Sequence, residues 1–227
     1  AWITLNRPHR RNAINQALLV HLYDAIEKVT NSENICVAVL TGNGKSFCSG
    51  LDLEVITTEN LFDPKGDGTD LLDVWAACRK PIIGAVNGHA ITGGFEMALN
   101  CDFLIASERA SFADTHARVG IHPGWGMTQL LQEAVGQRRA KQLSFACQFL
   151  PAQKAYDWGL VNEVVPHEML LPRVKEIALQ ICNANRDMLG VVHRLIEYRN
   201  TGTLADSLAH ERKGFEQFLN GQLKPPR

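Results

Sequence analysis

Three short runs of unbroken apolar sequence constrain this chain most: Cys36–Thr41 (CVAVLT), Pro81–Asn87 (PIIGAVN) and Asp102–Ala106 (DFLIA). A strand with one wet face alternates apolar and polar residues. Runs without alternation belong to strands covered on both faces, the habit of a parallel sheet under packed helices. Helical patterns lie between and after them. Asn12–Thr30 places Leu18, Leu19, Leu22, Ile26 and Val29 on one stripe, with Asn15 suited to cap it. Leu71–Arg79, Phe95–Asn100, Met127–Val135, Arg138–Ala146 and Ala152–Trp158 read as further helices, as do Glu168–Ala184, Asp187–Arg199 and Thr203–Leu219. Ile3–Asn6, Ser111-Phe112 and Asn162–Val165 read as short strands; Gly88–Gly94 reads as a turn, and polar Thr57–Thr69 as a mobile loop. The order predicts an α/β core over 1–165 and a helical region over 166–227 within the same unit.

The 227 residues carry 23 Lys plus Arg against 24 Asp plus Glu, a formal charge of −1. No global positive field attracts nucleic acid or an anionic membrane. No apolar run approaches the ~20 residues of a spanning helix. The opening Ala-Trp-Ile-Thr-Leu reads as mid-strand, so residues upstream are expected. The compartment is therefore unreadable: cytoplasmic in a bacterium, or an organelle reached by a removed leader. The six cysteines are scattered without a C-x-x-C pair, which predicts buried reduced thiols.

Gly44-Lys45-Ser46 ends like a phosphate-binding loop, but Val39 stands where its first glycine belongs and Phe47-Cys48-Ser49-Gly50 follows instead of a helix. The histidines never adopt H-E-x-x-H spacing, so no metal site is expected. Two glycine turns remain, each after a buried strand: Phe47–Leu53 (FCSGLDL) and Asn87–Glu96 (NGHAITGGFE). Gly93 and Gly94 stand where a helix begins, and N–H groups there have no internal acceptor. One N–H from each turn could stabilise an oxyanion; equally, the glycines could serve only the turns. Glu96 lies among Phe95, Met97, Ala98 and Leu99, where burial would suit a carboxyl for proton transfer. His116 follows twenty residues later, with Asp114 close enough to orient it or to act as an acid itself.

These turns, in this order, resemble the enoyl-CoA hydratase/isomerase (crotonase) superfamily. The resemblance runs from Leu5-Asn6-Arg7-Pro8 with Asn12-Ala13, through Phe47–Leu53, Lys80–Asp102 and Gly120–Gln129, to the A-x-x-A-x-x-x-G-L-V-N-x-V-V of Ala152–Val165. It implies a spiral of β-β-α turns, C-terminal helices that build homotrimers or dimers of trimers, and an acyl-CoA thioester as partner. By position, Leu51 and Gly93 would supply the oxyanion N–H groups. Asp52 and Leu53 would lie beside the CoA, Gly94 and Trp125 near the substrate, and Arg7, Arg10 and Arg11 would meet its phosphates. Phe62, Leu72 and Trp75 are candidates for the acyl end, although Leu72 and Trp75 suit core packing equally. The family's hydratases carry two glutamates twenty residues apart; here the first matches Glu96 and the second falls on His116. The resemblance implies a hydratase that needs no separate cofactor beyond the CoA of its substrate. The alternatives are a 3,2-enoyl isomerase or other acyl-CoA enolate chemistry, and a non-catalytic oligomeric binder of CoA esters.

Overall fold

A computed structural model describes residues 1–221; residues 222–227, the end of the expected helical region, lie outside the described residues. The strands are β1 (Trp2–Leu5), β2 (Ala38–Gly42), β3 (Ser46–Cys48), β4 (Ile82–Val86), β5 (His89–Ile91), β6 (Phe103–Ser107), β7 (Ser111–Ala113), β8 (Leu150–Pro151) and β9 (Glu163–Val165). The helices are α1 (Gln16–Asn31), α2 (Leu71–Ala77), α3 (Gly93–Leu99), α4 (His116–Val119), α5 (Met127–Val135), α6 (Gln137–Ala146), α7 (Ala152–Asp157), α8 (Leu170–Cys182), α9 (Arg186–Tyr198) and α10 (Leu204–Leu219). The chain forms two compact units, one over 1–178 and one beginning at Leu179.

In the first unit the apolar runs form β2, β4 and β6, the middle of an all-parallel sheet ordered β1-β2-β4-β6-β9. Each of the three continues after a short link into a strand of a second sheet, ordered β3-β5-β7-β8 and parallel except at β8. The chain thus winds as a spiral, two strands to a turn. Strands β3 and β5 correct the reading of their segments as turns. At three residues each they are too short for periodicity to register. The four-residue α4 was missed for the same reason.

Two buried asparagines stitch the links. Asn12, fully buried at φ 57°, holds its Nδ2 within 3.1 Å of the carbonyls of Asn43, Ser46 and Phe47. Asn87 donates to Gly44 O at 2.9 Å and accepts from Gly42 N–H at 3.1 Å. Helix α1 begins at Gln16, later than expected, because Asn15 caps it by accepting Leu18 N–H. Its stripe buries Leu18, Leu19, Leu22, Tyr23, Ile26 and Val29. Phe95 of α3 and Phe112 of β7 meet at 5.3 Å between ring centroids, tying helix to second sheet. Cys48, Cys78, Cys101 and Cys147 are buried free thiols, whereas Cys182 is exposed, a departure from the expectation.

The second unit contains α9 and α10, capped by Asn185 and by a Thr203–Asp206 capping box. Tyr198 stacks on His210 at 4.0 Å. Ile196, Leu204, Phe215 and Leu219 are exposed apolar residues of this unit. Among the described residues no helix is long and apolar enough to cross a membrane.

Helix α3 lies so close to β3 that a Cβ on Gly94 would stand 2.3 Å from Cys48 O. That atom is backbone and cannot move aside. Gly94→Ala is expected to cost about 3 kcal/mol of stability, lowering the melting temperature by roughly 6–12 °C in a circular-dichroism melt.

Candidate active site

The parallel pairing of β3, β5 and β7 sets Ser46 and Cys48 beside His89 and Ala90, and His89–Ile91 beside Ser111–Ala113. All three strands run the same way, so the turns that follow them emerge at one edge, where open parallel sheets hold ligands. They carry Gly50-Leu51, Thr92-Gly93 and Asp114-Thr115-His116.

The first turn rests directly on the second. A Cβ on Gly50, whose φ is +91°, would lie 2.9 Å from Ile91 O and 3.5 Å from Gly93 N. Leu51 bridges to Ile14: Ile14 N–H donates to Gly50 O and Asp52 N–H to Ile14 O, both at 2.8 Å. Between those two bonds the Leu51 N–H faces the other way, as alternate residues of an extended strand do. Gly93 is the first residue of α3, where an N–H has no helical acceptor. Neither N–H donates to another described residue.

Glu96 is 2% exposed. Its Oε1 accepts the N–H groups of Trp125 (2.9 Å) and Met127 (3.2 Å) at the start of α5, where the helix dipole favours negative charge. Asn100 locks this arrangement by donating from Nδ2 to both Glu96 O and Trp125 O. Oε2 accepts neither of these bonds and lies 3.6 Å from His116 Nε2. On the far side, His116 Nδ1 lies 2.7 Å from Asp114 Oδ1, which also accepts the His116 backbone N–H. Burial alone would lower the His116 pKa. Its hydrogen bonds to Asp114 and Glu96 and their charges outweigh that and lift it to about 9. At neutral pH His116 is therefore an imidazolium, with Asp114 at Nδ1 and Glu96 facing Nε2. Burial pushes the Asp114 carboxyl up, but bonds from His116 and Ser144 hold it below its ordinary range.

The structure thus brings together Glu96, His116 and Asp114, and sets the Leu51 and Gly93 turns against each other. The expected ligand contacts are more scattered. Asp52 is buried and paired with Arg7 (3.1 Å) and Arg10 (3.0 Å), and Arg10 also meets Glu54 at 2.6 Å. Arg7 and Arg10 are thus engaged by acidic groups; Arg11 and Leu53 are exposed. The space beside Gly94 is filled by Cys48, and the Trp125 ring packs over Gly93. Phe62 is exposed, Leu72 half-buried and Trp75 buried in the core. Reasoning from sequence missed Asn100, Ser144, the backbone N–H groups of Trp125 and Met127, and the carbonyl contacts of Asn12, a residue noted only as part of the resemblance. Only Asn12 had a usable signal, because asparagine is one of the few side chains that tolerate a left-handed backbone.

Two unengaged N–H groups on abutting turns, with a buried acid–imidazole relay beside them, equip an enzyme to work on an activated carbonyl. Within that class the chain belongs to the enoyl-CoA hydratase/isomerase family, whose sequence model matches residues 1–224. It is 39% identical over 227 residues to a protein of Arabidopsis thaliana described as probable enoyl-CoA hydratase 1, peroxisomal, covering 99% of this chain and 84% of the relative. The solved enoyl-CoA hydratase of Bacillus anthracis shares the fold with a TM-score of 0.88 and 32% identity, over 96% of this chain and 86% of that one. A monofunctional enoyl CoA isomerase from M. smegmatis is similar with a TM-score of 0.78 and 29% identity, over 92% of each chain.

A raised His116 pKa makes protonation favour the native state. That contribution is complete below about pH 6.5, declines above it, and is gone above about pH 9. NMR titration of the imidazole is expected to find His116 charged at pH 7.5 and titrating near 9. In Asp114→Asn its midpoint is expected to fall. In parallel, the melting-temperature advantage of wild type over His116→Gln is expected to shrink between pH 7 and pH 9.5.

Proposed function

We propose that this protein is an enoyl-CoA hydratase that adds water across a 2-enoyl-CoA double bond, with Glu96 and His116 dividing the proton transfers. The observation that carries the reading is the Asp114–His116–Glu96 chain beside the Leu51 and Gly93 turns. The thioester carbonyl accepts the N–H groups of Leu51 and Gly93, which makes C3 electrophilic and stabilises the enolate that forms. Each such donor typically contributes about 2.7–4 kcal/mol of barrier lowering. Glu96 Oε2 takes a proton from water as its oxygen bonds to C3. His116 Nε2–H then protonates C2. The proton left on Glu96 returns to His116 across the 3.6 Å gap, closing the cycle with one water added. Asp114 holds the imidazole by Nδ1 and keeps it charged. The reading calls on no cofactor other than the CoA carried by the substrate.

The isomerase reading differs in needing one shuttling group, Glu96 Oε2, moving a proton between C4 and C2. The similarity to a solved isomerase favours keeping it in the test. The hydratase reading extends to self-association as a homotrimer or a dimer of trimers. It is supported by the exposed Ile196, Leu204, Phe215 and Leu219, an apolar set of the kind that a second copy covers.

Mass-spectrometric product analysis with crotonyl-CoA and 3-hexenoyl-CoA decides between the activities. The expected outcome is a gain of one water from crotonyl-CoA, lost by about 10²-fold or more in both Glu96→Gln and His116→Ala. Conversion of 3-hexenoyl-CoA to the 2-isomer without water gain, surviving in His116→Ala, would establish the isomerase instead. For the hydratase, kcat/KM is expected to fall as pH rises through about 9, where His116 loses the proton it donates.

A further inference from the structure

The most unusual backbone in the candidate site belongs to Thr92. It adopts φ 51° and ψ −115°, a region that side chains rarely enter and β-branched ones least of all. Glycine would occupy it freely. Strain of this kind persists only where the surroundings enforce it, and it gathers at functional sites. Thr92 is also the residue before α3, where a threonine hydroxyl ordinarily caps the helix. Here it does not. Its Oγ1 instead makes a hydrogen bond with Oγ1 of Thr115, 23 residues further along the chain. Both residues are buried, at 6% and 9% exposed.

The position of each partner gives the bond its meaning. Thr92 directly precedes Gly93, and Thr115 lies between Asp114 and His116. Thr92 N–H donates to Ala113 O, and Thr92 O accepts Glu96 N–H, both at 2.9 Å. Thr115 O accepts the N–H groups of Arg118 and Val119, fixing it to α4. Thr92 Cβ also comes within 3.3 Å of where a Cβ on Gly50 would stand, so it packs on the turn that carries Leu51. One buried side chain therefore touches all three turns. Rotation at Thr92 would swing the Gly93 N–H, and rotation at Thr115 would swing His116.

We propose that Thr92 is a positioning residue whose hydroxyl bond to Thr115 fixes the Gly93 turn and the His116 turn in one mutual geometry. The proposal rests on the hydratase reading, in which Gly93 and His116 serve the same substrate. It explains why a strained threonine stands where glycine would be relaxed: the strain is tolerated because the hydroxyl is needed.

The test compares Thr92→Val, Thr92→Gly, Thr92→Ser and Thr115→Val with wild type in three readouts. These are hydration of crotonyl-CoA, the red shift of bound cinnamoyl-CoA as its carbonyl accepts hydrogen bonds, and the NMR titration of His116. Thr92→Val and Thr115→Val are each expected to lower kcat about tenfold or more, with KM within about twofold. The double variant is expected to be no worse than either single one. Thr92→Ser, which keeps the hydroxyl, should retain kcat within about threefold. Thr92→Gly should melt within a few degrees of wild type, since relief of strain offsets the lost bond, and yet lose kcat like Thr92→Val. Wild-type kcat in Thr92→Gly or Thr92→Val overturns the proposal, and so does a loss in Thr92→Gly that follows its melting temperature alone. If wild type adds no water, the hydratase reading fails. The proposal is then judged on the other two readouts: a red shift and a His116 midpoint that both change in Thr92→Val uphold it. The same values in Thr92→Val as in wild type, or no red shift in wild type, overturn it.

Discussion

The arrangement of this site depends on the parallel pairing of three very short strands. β3, β5 and β7 share one direction, with one register shift between Ser46 and Cys48 in the β3–β5 pair, so the three turns that follow them open at the same edge. A slip of one residue in any pair would turn its side chains to the opposite face and carry its turn out of reach. Strands of three residues cannot hold register alone. The longer β2, β4 and β6, bonded as the middle of the other sheet, hold it for them, since each is joined to its short partner by a link of a few residues. Asn12 and Asn87 satisfy the carbonyls of the β2–β3 link and of β3, which lets that segment approach its neighbours closely.

Electrostatics then decides how the site behaves. His116 lies between Asp114 and Glu96, and two N–H groups at the start of α5 donate to Glu96. The same bonds divide the labour of the Glu96 carboxylate. Oε1 is saturated by two donors, and Oε2 faces the imidazole. An acid whose one oxygen is fixed can present the other in a defined direction, which is what directed proton transfer demands.

The Asp52 cluster adds intramolecular contacts to a segment that the resemblance had located. The residue after Leu51 was expected beside a ligand, and the arginines near the N-terminus beside phosphates. In the fold, Arg7 and Arg10 converge on the buried Asp52 carboxylate, and Arg7 also donates to Ala13 O. The ion pairs brace the strand segment that holds the Leu51 N–H in place. Burial of Asp52 is tolerated because two guanidinium groups and the Glu54 N–H occupy its oxygens.

By itself the sequence determined the class of fold, since unalternating apolar runs leave little choice but a covered parallel sheet. It also marked Glu96, a lone acid in an apolar helix, and His116 with its neighbour Asp114, because these are side chains with recognisable chemistry at short spacing. The tertiary structure alone decided what those groups touch. Trp125 and Met127 reach Glu96 through backbone N–H groups, which every residue type possesses and no pattern can reveal. Asp52 meets Arg7 across 45 residues, and Thr92 meets Thr115 across 23. Periodicity is blind to such separations, because it records only which face of an element is buried. Side-chain chemistry is written locally along the chain, whereas the fields and hydrogen bonds that tune it arise between segments that only folding brings together.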